Sequence, residues 1–289
     1  MAPILGLGSE TIKTPTHDLV TNAFVPSDIT KLILWIDGSD ASTIYKDDGS
    51  GGFTLVTDTT DVVTKVTNKA YDGLGASSVS MNTHVEPGGS GTEPVYVTDV
   101  VNGHSVLRFA PGDLLRSTKS VGNVATNQMA GYTFDADDVT IFFIARHDSA
   151  TITAPDQYIV GWTDGDRKSA GIACDSGDDQ VFFVFEFGAA EVDSGQVWPN
   201  LSTGFQVWSS VSNGTNVRMF VDNASSPVIT DTTDFSSYDR NLTVDSSSIN
   251  FTVGSGIGQG SGNTFDGDIC EVLIYDQALS DSEIDQVRD

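Results

Sequence analysis

Short runs in which apolar residues alternate with polar ones recur along this chain and predict an all-β fold. Strands are predicted over residues 32–36, 105–109, 139–145, 157–162, 170–175, 180–187, 205–211, 216–221, 249–253 and 265–275. Only the last strand is followed by a helical signal, where Ser280 and Glu283 have the spacing of a capping box. Short strands with a helix only at the end favour a two-sheet antiparallel sandwich.

Two of these strands are predicted to lie at the centre of the sandwich. Residues 139–145 (VTIFFIA) are almost wholly apolar, as expected for a strand that is buried on both faces. In residues 181–187 the odd-numbered positions are all apolar, so one face of that strand is predicted to be core. A hairpin is predicted over residues 205–222. Its turn is expected at Asn213-Gly214, a dipeptide that tolerates positive φ at both central positions.

The domain organisation follows from where large apolar residues are missing. Residues 1–28 contain Pro15 and Pro26, which interrupt regular strand pairing, and are predicted to form an extended arm. Residues 29–289 are predicted to form one jelly-roll sandwich domain. Within it, residues 46–94 are rich in Asp, Thr, Gly and Ser, which predicts long loops around one or two short strands near residues 53–66.

Charge limits the partners of this chain. It has 40 acidic residues and 14 Lys and Arg residues, giving a formal net charge of −26. Phosphate binding requires clustered basic side chains, so neither a nucleic acid nor an anionic membrane is expected as a partner. No stretch reaches the roughly 18 apolar residues of a membrane helix, and no secretory signal is recognised. The chain is therefore expected to be made in a cytoplasm, and either to stay there or to leave it by cell lysis.

The two cysteines, Cys174 and Cys270, lie beside apolar residues and are predicted to be buried hydrophobes rather than a disulfide. The four histidines are scattered, so no His/Cys metal spacing is present.

Three segments resemble one family. "FDGDICEVLIYDQALSDSEI" resembles the last strand and terminal helical turn of laminin-G-like, concanavalin A-like jelly rolls, "LILWIDGSDASTI" resembles their entry strand, and "FQVWSSVSNGTNVRMFVDN" resembles their hairpin. The resemblance implies an all-β, two-sheet antiparallel jelly-roll sandwich of the concanavalin A-like lectin/glucanase type, with a short C-terminal helix. Activity is not implied, because lectins, glycosidases and structural proteins share this fold.

Acidic and aromatic residues in turns are the candidates for binding sites in such a fold. Trp198 and Trp162 are the candidate glycan-binding rings, whereas Trp35 and Trp208 lie within apolar strands and are predicted to be core. The candidate calcium ligands are Asp164, Asp166, Asp175, Asp178 and Asp179. Calcium prefers six to eight oxygen ligands, and solvated turns explain these aspartates equally well. No other cofactor is expected.

Within the concanavalin A-like class, enzymes of the laminarinase type carry a nucleophile and an acid on one strand, as E-x-D-x-x-E or E-x-D-x-E, because alternate residues face the same side. This chain has no such run. The nearest carboxylates are Glu186 with Glu191 and Asp193, and Glu271 with Asp276. Because residues 191–193 are interpreted as a loop, the chain is expected not to be an enzyme.

The opening MAPILG, the entry segment and the closing strand together resemble virion structural proteins of tailed bacteriophages. The resemblance implies a non-enzymatic capsid decoration protein of the virion, in a homo-oligomer or symmetric array with other virion proteins. Its anchor is predicted at Pro3, Ile4, Leu5, Gly6 and Leu7, because an apolar arm can add a strand to a partner's sheet edge. The alternatives are a carbohydrate-binding adhesion module for a host surface glycan, on a head or tail fibre, and a glycoside hydrolase of the same fold.

Overall fold

The strands of the protein were located in a computed structural model that describes residues 24–70, 84–87, 93–117, 133–135, 138–149, 157–163, 168–175, 180–187, 190–193, 198–199, 204–222, 224–232, 241–243, 251–255 and 264–288. In chain order they are β1 (Leu32–Asp37), β2 (Ile44–Asp47), β3 (Phe53–Leu55), β4 (Lys65–Thr67), β5 (His84–Pro87), β6 (Val95–Val101), β7 (His104–Phe109), β8 (Leu115–Ser117), β9 (Thr133–Asp135), β10 (Asp138–His147), β11 (Gln157–Thr163), β12 (Lys168–Asp175), β13 (Gln180–Phe187), β14 (Ala190–Asp193), β15 (Trp198–Pro199), β16 (Gln206–Asn213), β17 (Val217–Val221), β18 (Ile229–Asp231), β19 (Asn241–Thr243), β20 (Phe251–Val253) and β21 (Gly267–Tyr275). One α-helix, α1 (Asp281–Arg288), follows β21, and two short 3₁₀ turns cover Pro26–Asp28 and Ala41–Thr43. Within these ranges no helix is long and apolar enough to cross a membrane.

Two large antiparallel sheets form the body of the domain. The first sheet has the order β18-β17-β16-β10-β21-β7-β6, and β1 also pairs with β21. The second has the order β14-β13-β12-β11-β20-β8-β5-β4-β2-β3, with β15 pairing to β13. A separate pair is formed by β9 and β19. The predicted two-sheet antiparallel sandwich is confirmed.

The main core lies between the two sheets. Val139, Ile141 and Phe143 alternate along β10 and belong to one buried cluster with Ile172 and Cys174 of β12. Alternate residues of a strand face the same side, so a single face of β10 supplies this cluster. Burying one such side chain contributes roughly 1.5–3 kcal/mol relative to exposure. Both cysteines are buried thiols rather than a disulfide, as predicted.

A second apolar cluster covers part of the opposite, outer face of the first sheet. Phe142 of β10 and Leu273 of β21 pack there with Leu279 and Ile284 of the C-terminal helical segment. The capping box at its start is confirmed, because the backbone N–H of Ser280 donates to Glu283 Oε2 at 2.8 Å. The strand over residues 139–145 is therefore buried on both faces, as predicted.

Thr140 joins β10 to the segment that leads into α1. Its hydroxyl donates to the backbone oxygen of Gln277 at 2.8 Å and accepts from the backbone N–H of Leu279 at 2.9 Å. Ser212 of β16 lies opposite Val139 in the neighbouring ladder, is fully buried, and has a hydroxyl with no hydrogen-bond partner among the described residues. The Thr140 hydroxyl, which has two hydrogen bonds, thus stabilises the folded state, whereas the buried Ser212 hydroxyl, which has none in the described part of the chain, destabilises it.

Two predicted details of the strands are wrong. β13 was expected at the centre of the sandwich, but it lies next to the edge strand β14. Residues 191–193 are not a loop, because Ala190–Asp193 is that edge strand. An apolar sequence indicates that a strand is buried, but the position of that strand in the sheet depends on which other strands pair with it.

The predicted hairpin over residues 205–222 is confirmed as β16 and β17, but its turn differs from the prediction. Only Gly214 of the pair Asn213-Gly214 has a positive φ, and Asn213 Oδ1 instead accepts from the backbone N–H groups of Thr215 and Asn216. The turn with positive φ at both positions is Asn102-Gly103, which joins β6 to β7. The prediction had overlooked β6.

Two substitutions should separate the roles of the buried hydroxyls. Ser212→Ala removes an unpartnered polar group and is expected to raise the free energy of unfolding by about 1 kcal/mol. Thr140→Val leaves the Leu279 N–H and the Gln277 oxygen without their partner and should lower it by about 2–3 kcal/mol. Urea denaturation of both variants measures these changes. A clear loss of stability in Ser212→Ala would contradict this account.

Candidate functional site

Next to the part covered by α1, the outer face of the first sheet carries a group of polar and aromatic side chains. Asp37 of β1, Glu271 of β21, Ile144 of β10 and Val207 of β16 occupy consecutive register positions across four strands. Trp35 precedes Asp37 by two residues and so lies on the same face of β1. We call the surface formed by Trp35, Asp37, Lys69, Ile144 and Glu271 the Trp35 surface.

The Trp35 ring packs against the outer apolar cluster and is also held by two polar contacts. Its indole Nε1 donates to Glu271 Oε1 at 2.8 Å, and the ammonium group of Lys69 lies 4.3 Å from the ring centroid. Such a cation over an aromatic face contributes about 0.5–1 kcal/mol at exposed sites. The ring is half-buried rather than part of the interior, so the prediction of Trp35 as a core residue is wrong. Trp208, by contrast, is buried and stacked on Phe143, as predicted.

Lys69 connects the aromatic ring to two carboxylates. Its ammonium nitrogen lies 2.7 Å from Asp37 Oδ2 and 2.9 Å from Asp40 Oδ2. Burial by itself would lower the pKa of Lys69, but the hydrogen bonds to Asp37 and Asp40 outweigh it, so the pKa is raised. The pKa of Asp40 is lowered by its hydrogen bond from the Ser42 hydroxyl and by the hydrogen bond from Lys69. Lys69 therefore stays charged on the Trp35 surface.

Asn68 determines where Lys69 lies. The Asn68 side-chain oxygen accepts from the backbone N–H of Trp35 at 2.8 Å, and its amide donates to the backbone oxygen of Ile33 at 2.9 Å. The backbone N–H of Lys69 in turn donates to the Trp35 oxygen at 2.9 Å. The chain leaving β4 in the second sheet is thus fixed along the edge of β1 in the first.

Glu271 is the electrostatically unusual group of this surface. Burial raises its pKa above the ordinary value of 4.5, and the charge of Asp37 raises it further. The hydrogen bond from Trp35 and the charge of Lys69 act in the opposite direction but do not cancel these effects. A carboxyl group with a raised pKa thus stands directly across the ladder from Asp37, which forms an ion pair with Lys69.

A small depression lies beside Glu271. It is lined by Phe142, Phe143, Ile144, Val207, Glu271, Leu273 and Val287, and its volume is about 20 Å³. That volume is sufficient for about one water molecule. A ligand larger than water must therefore lie across the Trp35 surface rather than enter it.

The residues predicted as sites are distributed elsewhere. Trp162 lies in β11, opposite Ala170 of β12, and Trp198 lies in β15, opposite Val181 of β13, both in the second sheet. Asp175 ends β12. The candidate ligands Asp164, Asp166, Asp178 and Asp179 lie outside the described residues, as do the anchor residues Pro3, Ile4, Leu5, Gly6 and Leu7. In the described part of the chain, no three His, Cys, Asp or Glu side chains are grouped to hold a metal ion.

The structure rearranges the two predicted sets of carboxylates. Glu186 of β13 is brought directly opposite Glu191 of β14, at the edge of the second sheet. Glu271 and Asp276 are separated, because Glu271 lies within β21 whereas Asp276 follows the end of that strand at Tyr275 and donates its backbone N–H to the Lys31 oxygen. The partner of Glu271 is instead Asp37, which is far from it in sequence. Trp35 and Asp37 have the i, i+2 spacing of a shared face, but nothing in the sequence shows that β21 pairs with β1.

Comparison with solved structures shows the same fold in carbohydrate-acting proteins. Domain 4 of a GH43 extracellular arabinanase from Geobacillus stearothermophilus, in complex with arabinotriose, matches at a TM-score of 0.54 and 10% identity, covering 90% of this chain and 98% of that domain. An arabinofuranosidase complexed with arabinofuranosyl-alpha-1,2-xylobiose matches at a TM-score of 0.58 and 14% identity, covering 92% of this chain and 64% of that one. A GH54 a-l-arabinofuranosidase soaked with a cyclic sulfate inhibitor gives 0.56 and 13%, with the same coverage. No protein-family model matches the chain, and no curated protein matches it.

These findings correct the function that the sequence predicted. The expectation of a non-enzymatic capsid decoration protein is wrong, because the three solved structures described above are two arabinofuranosidases and a domain of an arabinanase, and nothing supports a phage link. The residues behind that interpretation were the N-terminal tag, which lies outside the described residues, and an entry strand that fits the fold in general. The chain has the concanavalin A-like jelly-roll sandwich fold.

The raised pKa of Glu271 should be visible in the pH dependence of stability. The folded protein binds this proton more tightly than the unfolded chain, so the free energy of unfolding is expected to fall as the pH rises above about 4.5. Glu271→Gln keeps an oxygen that can accept from Trp35 Nε1 but removes the titration. Denaturation between pH 4 and 8 should therefore show a smaller decline for this variant than for the parent protein. Identical slopes would show that burial of Glu271 does not perturb its titration.

Proposed function

We propose that this chain binds an oligosaccharide across the Trp35 surface. The half-buried indole ring of Trp35 carries the proposal, because it is fixed at its nitrogen by Glu271 and at one face by Lys69. Binding sites combine apolar area with a few polar groups that set orientation. Here Lys69 supplies a donor, and Asp37, Asp40 and Glu271 supply acceptors, which together suit the mixed donors and acceptors of sugar hydroxyls.

The shape of the surface and the fold comparisons support a glycan over other ligands. The depression beside Glu271 holds about one water molecule, so an extended ligand lying on the sheet fits better than a compact one that must be enclosed. The arabinanase domain that matches this chain over 98% of its own length was solved with arabinotriose. We therefore take an arabinose-containing oligosaccharide as the first ligand to test.

Glycoside hydrolysis is the second candidate function, and the pairing of Glu271 with Asp37 favours it. Hydrolysis needs one carboxylic acid that protonates the glycosidic oxygen and one carboxylate that acts on the opposite side, about 5–10 Å apart. A raised pKa suits Glu271 to the acid role. Asp37 stands opposite it in register, where Cβ atoms are typically ~4.5–5.5 Å apart.

Binding should depend on the Trp35 ring. Trp35→Ala is expected to weaken binding of arabinotriose, or of the best ligand on a plant and algal oligosaccharide array, at least tenfold, because it removes the apolar ring area that the ligand would cover, and covering a large apolar side chain contributes about 1.5–3 kcal/mol. Phe53→Ala, which truncates an exposed aromatic residue on the second sheet, should leave binding unchanged. Titration calorimetry on both variants, with thermal unfolding to verify folding, measures this. A loss confined to Trp198→Ala would place the site on the second sheet and refute the proposal.

Hydrolysis should depend on Glu271 and Asp37. If the chain cleaves the glycan it binds, Glu271→Gln and Asp37→Asn are each expected to reduce the release of reducing sugar at least a hundredfold. Glu186→Gln and Glu191→Gln serve as matched controls, since that pair lies opposite one another at the edge of the other sheet. Activity lost in the controls but not in Glu271→Gln would assign the chemistry to the second sheet. Binding without any release of reducing sugar would reject hydrolysis and leave binding standing.

A further inference from the structure

Three charged side chains form a row across the first sheet next to the Trp35 surface. Arg108 of β7, Asp268 of β21 and Arg146 of β10 occupy opposed register positions. Asp268 is 1% exposed. Its carboxylate accepts from Nε of Arg108 at 2.7 Å and from Nη2 at 3.0 Å. On the other side, Nε and Nη2 of Arg146 lie 2.8 and 2.6 Å from Asp268 Oδ2.

Among the described residues, the two guanidinium groups have donors that no partner occupies. Asp268 engages Nε and Nη2 of each, and no described residue bonds to Nη1 of either arginine. The side chains of Arg108 and Arg146 are 47% and 31% exposed, so both arginines reach the surface of the sheet. The guanidinium carbon of Arg146 also lies 5.1 Å from the centroid of the Phe205 ring, which holds its plane in place.

The row carries a local positive charge on a strongly acidic protein. Two arginines bonded to one carboxylate leave a charge of +1, whereas the chain as a whole has a net charge of −26. One arginine is enough to pair a buried carboxylate, so the second is in excess of what Asp268 requires. A planar guanidinium matches the paired oxygens of a carboxylate or sulfate, and two arginines oriented by one carboxylate form a preorganised anion site.

The row lies about one sugar residue away from the Trp35 surface. Arg146 is two residues from Ile144 on the same face of β10, and Ile144 is opposite Glu271. Two residues along a strand span roughly 7 Å. A sugar residue over Glu271 can therefore present its neighbour, or its own substituent, to the arginines.

We propose that Arg108 and Arg146 form a subsite for an anionic group on the bound glycan, either the carboxylate of a uronic acid or a sulfate ester. The inference rests on the proposed glycan-binding function and adds the charge class of its ligand. Asp148, an exposed residue whose charge acts on Arg108, opposes anion binding and limits its strength.

The test compares three probes on the whole chain: polygalacturonate oligosaccharides, their methyl esters, and sulfated galactan oligosaccharides. We expect the parent protein to bind at least one anionic probe tenfold or more tightly than the neutral esters, with affinity that falls as salt is added. The probe that is preferred identifies carboxylate or sulfate as the group recognised.

The variants show whether the arginines are responsible. Arg108→Gln is expected to lower the affinity for the anionic probe at least tenfold and to leave the affinity for the neutral methyl esters unchanged. Arg108→Lys, which keeps the charge but not the fork, should restore only part of it. Asp148→Asn should strengthen anionic binding, which a purely structural role for the row does not predict. Asp268 remains bonded to Arg146 in both Arg108 variants, and thermal unfolding verifies that they fold.

The two failures are distinguishable. Equal affinity for anionic and neutral probes, or an Arg108→Gln variant that binds all probes as the parent does, overturns the anionic subsite and leaves glycan binding at Trp35 intact. No binding to any probe or to arabinotriose overturns both proposals.

Discussion

The pairing of β21 with the strands on both of its edges is the interaction on which the rest of this structure depends. β10 runs along one edge of β21, and β1 and β7 share the other. On its inner face, Ile269, Val272 and Ile274 are fully buried between the sheets. On its outer face the same strand supplies the residues under α1 and the charged residues of the candidate site. The core residues and the residues of the candidate site therefore lie on the two faces of one strand.

The C-terminal helix divides this outer face into a covered part and an open part. Leu279 and Ile284 extend the apolar packing over Leu273 and Phe142, where the strand residues are large and apolar. Past that point β21 carries Glu271 and Asp268, and polar groups on a sheet face need solvent or partners. Both carboxylates have hydrogen-bond partners: Glu271 accepts from Trp35, and Asp268 accepts from Arg108 and Arg146. The polar groups of the open part are thus satisfied by one another, and Val287 of the helix contributes to the lining of the depression beside Glu271.

Basic residues are few in this chain, and three of them lie on the open part of the outer face. The chain has 14 basic residues for 40 acidic ones, and three of the basic residues, Lys69, Arg108 and Arg146, lie on or beside the Trp35 surface. Each is held by a carboxylate with low or partial exposure, so its position is fixed before any ligand arrives. Preorganised donors lose less entropy on binding than mobile ones. A surface of this kind suits a polar ligand such as a glycan better than it suits the apolar contact of a protein partner.

The sequence by itself determined the fold class and most of the strands. Alternation of apolar residues, the apolar run of β10 and the capping box at Ser280 are local signals, and each was confirmed. The sequence could not determine which strands are neighbours, because pairing partners lie up to hundreds of residues apart and the same alternating pattern fits several positions in a sheet. Hence β13 was predicted at the centre and lies beside an edge strand, and Trp35 was assigned to the core although its nitrogen bonds to Glu271, 236 residues away. The Trp35 surface exists only because β1, β21 and the segment at Lys69 meet across the first sheet, and that meeting was decided by the tertiary structure.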